Sequence, residues 1–116
     1  MIPRAKWIWQ GSPGHFIAAE SCVFHLCTIV GPWIVSTVGE YHPRGRGVEA
    51  LGKPETIGFN RLYETMVFRA ARCADPGCDA FHQESGTNED FAPANTRAEA
   101  TAAHMAMCTK WARRKR

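Results

Sequence analysis

The sequence has no long apolar run, and this absence argues against a membrane-spanning helix. Such a helix needs about 18–20 consecutive apolar residues, and no stretch of the 116 residues approaches that length. A secretory signal is not expected either, because only three apolar residues separate Lys6 from Gln10. These absences predict a cytoplasmic protein with no membrane contact.

The number of cysteines is odd, which argues against a disulfide scaffold. The sequence has five, whereas a small secreted disulfide scaffold usually has four, six or eight. Reduced thiols or metal ligation are therefore favoured. A chain of this length fits one domain spanning 1–116.

Catalytic motifs are missing as well. There is no phosphate-cradling glycine loop, no nucleophile elbow and no His-Glu-x-x-His. His25 and Cys27 share one face of a strand pattern, but a packed sheet face explains them equally well. The sequence therefore predicts no catalytic residue. A small enzyme that uses His15, His25 or Cys27 is kept as a hypothesis behind the two binding hypotheses given below.

Charge is distributed unevenly along the chain. Residues 73–99 carry one basic and six acidic side chains, whereas residues 100–116 carry five basic and no acidic ones. The middle segment is thus acidic and the C-terminal tail basic. The tail is open to two interpretations, a solvated helix end or a nucleic-acid contact.

Three β-rich runs precede a helical pattern. Residues 22–30 and 33–41, separated by Gly31-Pro32, predict an antiparallel hairpin, although Pro32 leaves the turn type open. Residues 62–69 predict a third strand of the same sheet, in which Glu64 falls on the apolar face and needs a partner or an edge position.

The helix pattern begins at a capping-box sequence, Thr96 to Glu99. From there one stripe at helical spacing is predicted to pack on the sheet: Ala100, His104, Met107, Cys108 and Trp111. The expected class is α+β, an antiparallel sheet of about three to five strands packed against one C-terminal helix. The sheet covers about 6–70, the helix about 96–112, and residues 73–95 between them form an acidic loop without regular structure.

One constellation has metal-ligand character. Cys73 and Cys78 flank a Pro-Gly bend, and His104 and Cys108 lie one helical turn apart. Such a set suits tetrahedral zinc, and four protein ligands would make the site structural. The competing interpretation places His104 and Cys108 in the core as packed residues.

Two surfaces are candidates for a partner. Trp7 and Trp9 share one face of a short N-terminal strand and predict an exposed aromatic patch. Trp33 and Trp111 are instead expected to be core residues, since this is the simpler interpretation. The second surface is the acidic segment, which could mimic phosphates and carries Asp75, Asp79, Glu84, Glu89 and Asp90.

Several segments together resemble a family of small uncharacterised proteins encoded by proteobacterial phages and prophages. They are residues 6–11 (KWIWQG), 14–17 (GHFI), 35–41 (VSTVGEY), 61–68 (RLYETMVF) and 104–111. The resemblance carries no established activity and no site residues. It implies a context in which small phage proteins bind host machinery and block it, and one recurrent class inhibits CRISPR effectors.

The leading hypothesis is therefore a non-enzymatic phage-type protein that binds and inhibits a host protein or nucleoprotein complex, with anti-CRISPR activity as its most concrete form. The alternative is a zinc-stabilised nucleic-acid-binding module that uses the basic C-terminal tail.

Overall fold

The computed structural model describes residues 7–9, 22–42, 55–57, 60–72, 76–77 and 81–114. Within these ranges the chain forms six strands and one helix: β1 (Trp7–Trp9), β2 (Cys22–Val30), β3 (Trp33–Tyr41), β4 (Tyr63–Arg72), β5 (Phe81–Gln83), β6 (Asp90–Ala94) and α1 (Arg97–Trp111). The strands pair antiparallel in the order β1-β2-β3-β4-β5, and β6 also pairs with β4. The predicted α+β class is confirmed.

The predicted hairpin forms with the expected two-residue connection. Val30 lies opposite Trp33, and Gly31 between them has a φ of 60°. Glycine adopts this left-handed conformation without steric penalty, and the type II′ hairpin turn places it at this first central position. Pro32 then occupies the second position, so the hairpin accommodates the proline.

The third predicted strand is also confirmed. β4 pairs with β3 from Tyr63 opposite Gly39 to Arg69 opposite Trp33. Gly39 is required by close packing, because a Cβ there would overlap the Tyr63 ring and lie 2.8 Å from the Leu62 carbonyl oxygen. Glu64, on the apolar face, is buried and paired with Arg61 at 3.0 Å.

The expectation of an irregular acidic loop over 73–95 is wrong for residues 81–83 and 90–94, which form two strands. β5 pairs with the end of β4, where Gln83 lies opposite Ala70, and β6 pairs with its first half, where Ala94 lies opposite Tyr63. Backbone pairing satisfies N–H and C=O groups whatever the side chains, so polar, turn-rich sequence can complete a sheet edge. Pro93 is tolerated in β6 because an edge strand needs fewer donors.

Helix α1 begins as the capping-box pattern predicts. The Glu99 N–H donates to Thr96 Oγ1 at 3.0 Å, and the Glu99 carboxylate accepts from the Asn95 N–H rather than from Thr96. The buried residues of α1 coincide with the predicted stripe: Ala100, His104, Met107, Cys108 and Trp111. The face of the helix that packs on the sheet could thus be predicted from sequence.

The helix packs on one face of the sheet, where it forms the main core cluster. Trp33 and Trp111 meet edge to face with centroids 4.7 Å apart, as expected for core residues. The cluster consists of Val30, Trp33, Val35, Val67, Met107, Cys108, Trp111 and Ala112. The helix found among the described residues is too short and too polar to cross a membrane.

Candidate binding surface and the polar core beneath it

The two N-terminal tryptophans lie on the helix side of the sheet. Trp7 pairs with Val30, which belongs to the core cluster, and Trp9 pairs with Thr28. Trp7 is partly buried against that cluster, whereas Trp9 is 58% exposed and Ile8, on the opposite face of β1, is 53% exposed. The strand therefore presents a half-exposed aromatic ring and an aliphatic side chain on its two faces.

Trp9 covers a buried histidine. The Trp9 and His104 rings are stacked with centroids 5.8 Å apart and planes within 17°, while His104 itself is fully buried. The stack places one face of the indole against the buried imidazole and leaves more than half of the Trp9 side chain exposed.

His104 is the centre of a buried hydrogen-bond network. Its Nε2 lies 2.8 Å from Thr28 Oγ1 and its Nδ1 lies 2.8 Å from Thr37 Oγ1. Thr37 Oγ1 is in turn 2.7 Å from Thr65 Oγ1. Since a threonine hydroxyl both donates and accepts, either neutral tautomer of the imidazole is satisfied. The network joins α1 to β2, β3 and β4 through side chains alone.

Burial sets the protonation states of this region. Desolvation lowers the pKa of His104 from 6.5 to about 4. Desolvation also raises the pKa of Cys108 from 9.0 to about 11, against a smaller opposing effect of its hydrogen bond with Thr28. At neutral pH the imidazole is thus neutral and the thiol protonated. A thiolate–imidazolium pair, which nucleophilic cysteine chemistry uses, requires the opposite states.

The four predicted zinc ligands divide into two groups. Cys73 and Cys78 lie outside the described residues, and His104 and Cys108 lie in the core. Among the residues that the structure describes, no three metal-ligating side chains come together. Both His104 nitrogens are engaged by threonine hydroxyls, so zinc would have to displace one of them. The four-ligand site stays a prediction.

The acidic candidates are compensated by basic neighbours where the structure describes them. Glu89 pairs with Arg69 at 3.2 Å. Asp90 accepts from Lys110 Nζ at 2.7 Å and from Trp111 Nε1 at 2.9 Å, so it joins β6 to the end of α1. Glu84 is exposed. Asp75 and Asp79 lie outside the described residues.

The structure describes two of the three remaining enzyme candidates. Cys27 is buried in a second apolar cluster on the sheet face opposite the helix, together with Ile29, Ile34, Phe68 and Ala70. His25 is partly buried on β2 opposite Val38. His15 lies outside the described ranges.

Sequence reasoning missed one polar constellation, at the start of α1. The Glu40 carboxylate accepts bonds from Arg97 Nε, from Arg97 Nη2 at 2.6 Å and from the Tyr63 hydroxyl at 2.7 Å. These Arg97 bonds outweigh desolvation and lower the pKa of Glu40, while burial followed by the Glu40 bond raises the pKa of Tyr63. Glu40 also has a φ of 55°, a conformation that is uncommon outside glycine and asparagine. The sequence gives one sign of this constellation: the charged Glu40 follows Gly39 near the end of the apolar run 33–41.

Comparison with known proteins found no matching family model, no matching curated protein and no matching solved structure.

Proposed function

We propose that the protein is a non-enzymatic inhibitor that binds a host macromolecule through the edge strand β1. The observation that carries this proposal is the exposure of Trp9 and Ile8, each of which is more than half exposed on the same three-residue strand. Exposed tryptophan is enriched among the residues that contribute most binding energy at protein interfaces.

The geometry of β1 suits a particular mode of recognition. In the described part of the chain, β1 pairs only with β2. An extended partner segment that added to this edge would bond to its backbone and contact side chains on both faces. Trp9 on one face and Ile8 on the other would then supply the apolar anchors. The first anchor already has one ring face against His104 in the free protein.

Phosphate mimicry by the acidic segment is less well supported. Arg69 offsets the charge of Glu89, and Lys110 offsets that of Asp90. A mimic should instead present an uncompensated row of negative charge to a basic channel. We therefore propose the aromatic strand as the contact surface.

The states of the buried histidine and cysteine agree with a binding role. His104 is neutral and doubly hydrogen-bonded, and Cys108 is a protonated thiol inside the core. Both groups act in packing and in joining the helix to the sheet. The most concrete form of the proposal, which rests on the resemblance to phage proteins, is inhibition of a CRISPR effector.

Plaque counting tests whether the protein inhibits a CRISPR effector. A proteobacterial host whose CRISPR system targets a phage is transformed with the gene, and the targeted phage is plated. The proposal expects plating to rise by orders of magnitude with the wild-type gene, to stay low with Trp9→Ala, and to remain high with Val23→Ala. Val23 is the matched control, because it is an apolar residue, 45% exposed, on a different strand. Equal plating with and without the wild-type gene contradicts the anti-CRISPR form.

A further inference from the structure

The C-terminal end of α1 presents two arginines without a carboxylate partner in the described part of the chain. Arg113 and Arg114 are exposed, and no ion pair joins either of them to an acidic side chain there. Lys110, one turn earlier, differs because Asp90 holds it at 2.7 Å. Within the described residues, the end of the helix therefore carries two positive charges that no carboxylate offsets.

This basic end is attached to the core. The Arg114 carbonyl accepts a hydrogen bond from Trp33 Nε1 at 2.9 Å. The Arg114 guanidinium lies 4.7 Å from the centroid of the Trp111 ring, and Trp111 packs on Trp33. The backbone at Arg114 is thus attached to one end of the sheet. A frayed helix terminus would lack this attachment.

The end of the helix carries charge but no exposed apolar side chain within residues 109–114. In residues 109–114 the exposed side chains are polar or charged, and Trp111 and Ala112 are buried. Protein partners usually need an aromatic or aliphatic anchor at the centre of the contact. A phosphate backbone needs only cations, and the fork of a guanidinium matches phosphate oxygens.

We propose that the end of α1 binds the phosphate backbone of nucleic acid without sequence preference, through Arg113 and Arg114. This contact is independent of the β1 surface and does not require zinc. It lies at the opposite end of the helix from Arg97, whose charge is already paired with Glu40.

Fluorescence anisotropy of the full chain with a labelled short DNA duplex of arbitrary sequence tests the proposal over a range of salt. Each phosphate contact adds about 0.9 to the slope of log affinity against log salt. The variant Arg113→Ala with Arg114→Ala should therefore lower that slope by about 1.8 and weaken binding at low salt by roughly tenfold or more. Both side chains are exposed, so the fold should be kept, and circular dichroism checks this.

The matched control is Ala98→Glu with Ala102→Glu. It changes net charge by the same two units on exposed positions near the start of α1, and the proposal expects its salt slope to equal that of the wild type. No binding by the wild-type chain, or an unchanged slope in the arginine variant, overturns the proposal. Equal displacement of the duplex by polyglutamate at the same charge concentration also overturns it, since that result would indicate an acidic protein partner.

Discussion

Trp9 lies over the imidazole of His104, with the two ring centroids 5.8 Å apart. One ring is more than half exposed and the other is fully buried. The proposed contact surface therefore rests directly on the polar network that joins the helix to the sheet. The network has consequences for stability that can be measured before any partner is known.

Stability should fall on acidification between about pH 6.5 and pH 4. The folded pKa of His104 is about 4 against 6.5 for the free side chain, so in this window the unfolded chain binds the additional proton. Unfolding free energy then decreases as pH falls, by about 3 kcal/mol across the window. Urea denaturation at several pH values measures this loss.

The variant His104→Gln is the control for that measurement. A glutamine amide can donate and accept but does not titrate, so the slope between pH 6.5 and pH 4 should flatten. The lowered pKa values of Glu40 and Asp90 add acid sensitivity below their ordinary values of 4.5 and 3.8, and the wild type and the variant share this contribution. An identical slope in wild type and variant would show that His104 is not the group responsible.

Thr37→Val should destabilise the fold although it removes only a hydroxyl. The substitution leaves His104 Nδ1 and the Thr65 hydroxyl without their Thr37 partner in a buried site. Leaving buried polar groups unsatisfied costs about 1–3 kcal/mol. Thermal or urea unfolding measures the change, and Thr101→Val, at an exposed helix position, is the matched control with an expected change within about 0.5 kcal/mol.

Asp90→Ala should loosen the junction of β6 and α1. Its carboxylate accepts bonds from Lys110, Trp111 and the Phe91 N–H. Desolvation raises the pKa of Asp90, but these bonds outweigh it and lower the pKa overall, so the ionised form is the stabilising one. We expect a loss of about 1–3 kcal/mol near neutral pH. Asn88→Ala, in the same segment but exposed, should change stability by less, and equal losses would refute the role given to Asp90.

Zinc content separates the two interpretations of His104 and Cys108. If zinc is bound by Cys73, Cys78, His104 and Cys108, protein purified without chelator should contain about one zinc per chain, and Cys73→Ser should lose it. If the threonine network is the resting state, His104 serves the core alone and elemental analysis should find no stoichiometric metal. A chelator would then leave the unfolding midpoint unchanged.

Much of the architecture follows from local patterns. Period-two runs predicted β2, β3 and β4, and the helical stripe from Ala100 to Trp111 predicted the packed face of α1. In these four elements the sequence signal is strong, because the period of the apolar residues matches the face that becomes buried. The short strands β5 and β6 were missed, because an edge strand can form from polar sequence when the neighbouring strand offers free backbone groups.

The candidate site could be predicted only in part. The shared face of Trp7 and Trp9 follows from strand alternation, but their different exposure depends on where the helix lies. The partners of His104 are far away in sequence: 76 residues separate it from Thr28. Likewise, the Arg97–Glu40 pair spans 57 residues. No spacing rule reaches such contacts, since they depend on the completed sheet.

The most direct test of the central claim is the affinity of a host partner for Trp9 variants. A partner captured by the wild-type chain from proteobacterial lysate is purified, and its Kd is measured for wild type, Trp9→Ala, Trp9→Phe and Val23→Ala, each checked for equal unfolding midpoints. We predict that Trp9→Ala binds at least about tenfold more weakly, that Trp9→Phe loses less, and that Val23→Ala binds as the wild type does. Unchanged affinity of Trp9→Ala for that partner would contradict the account.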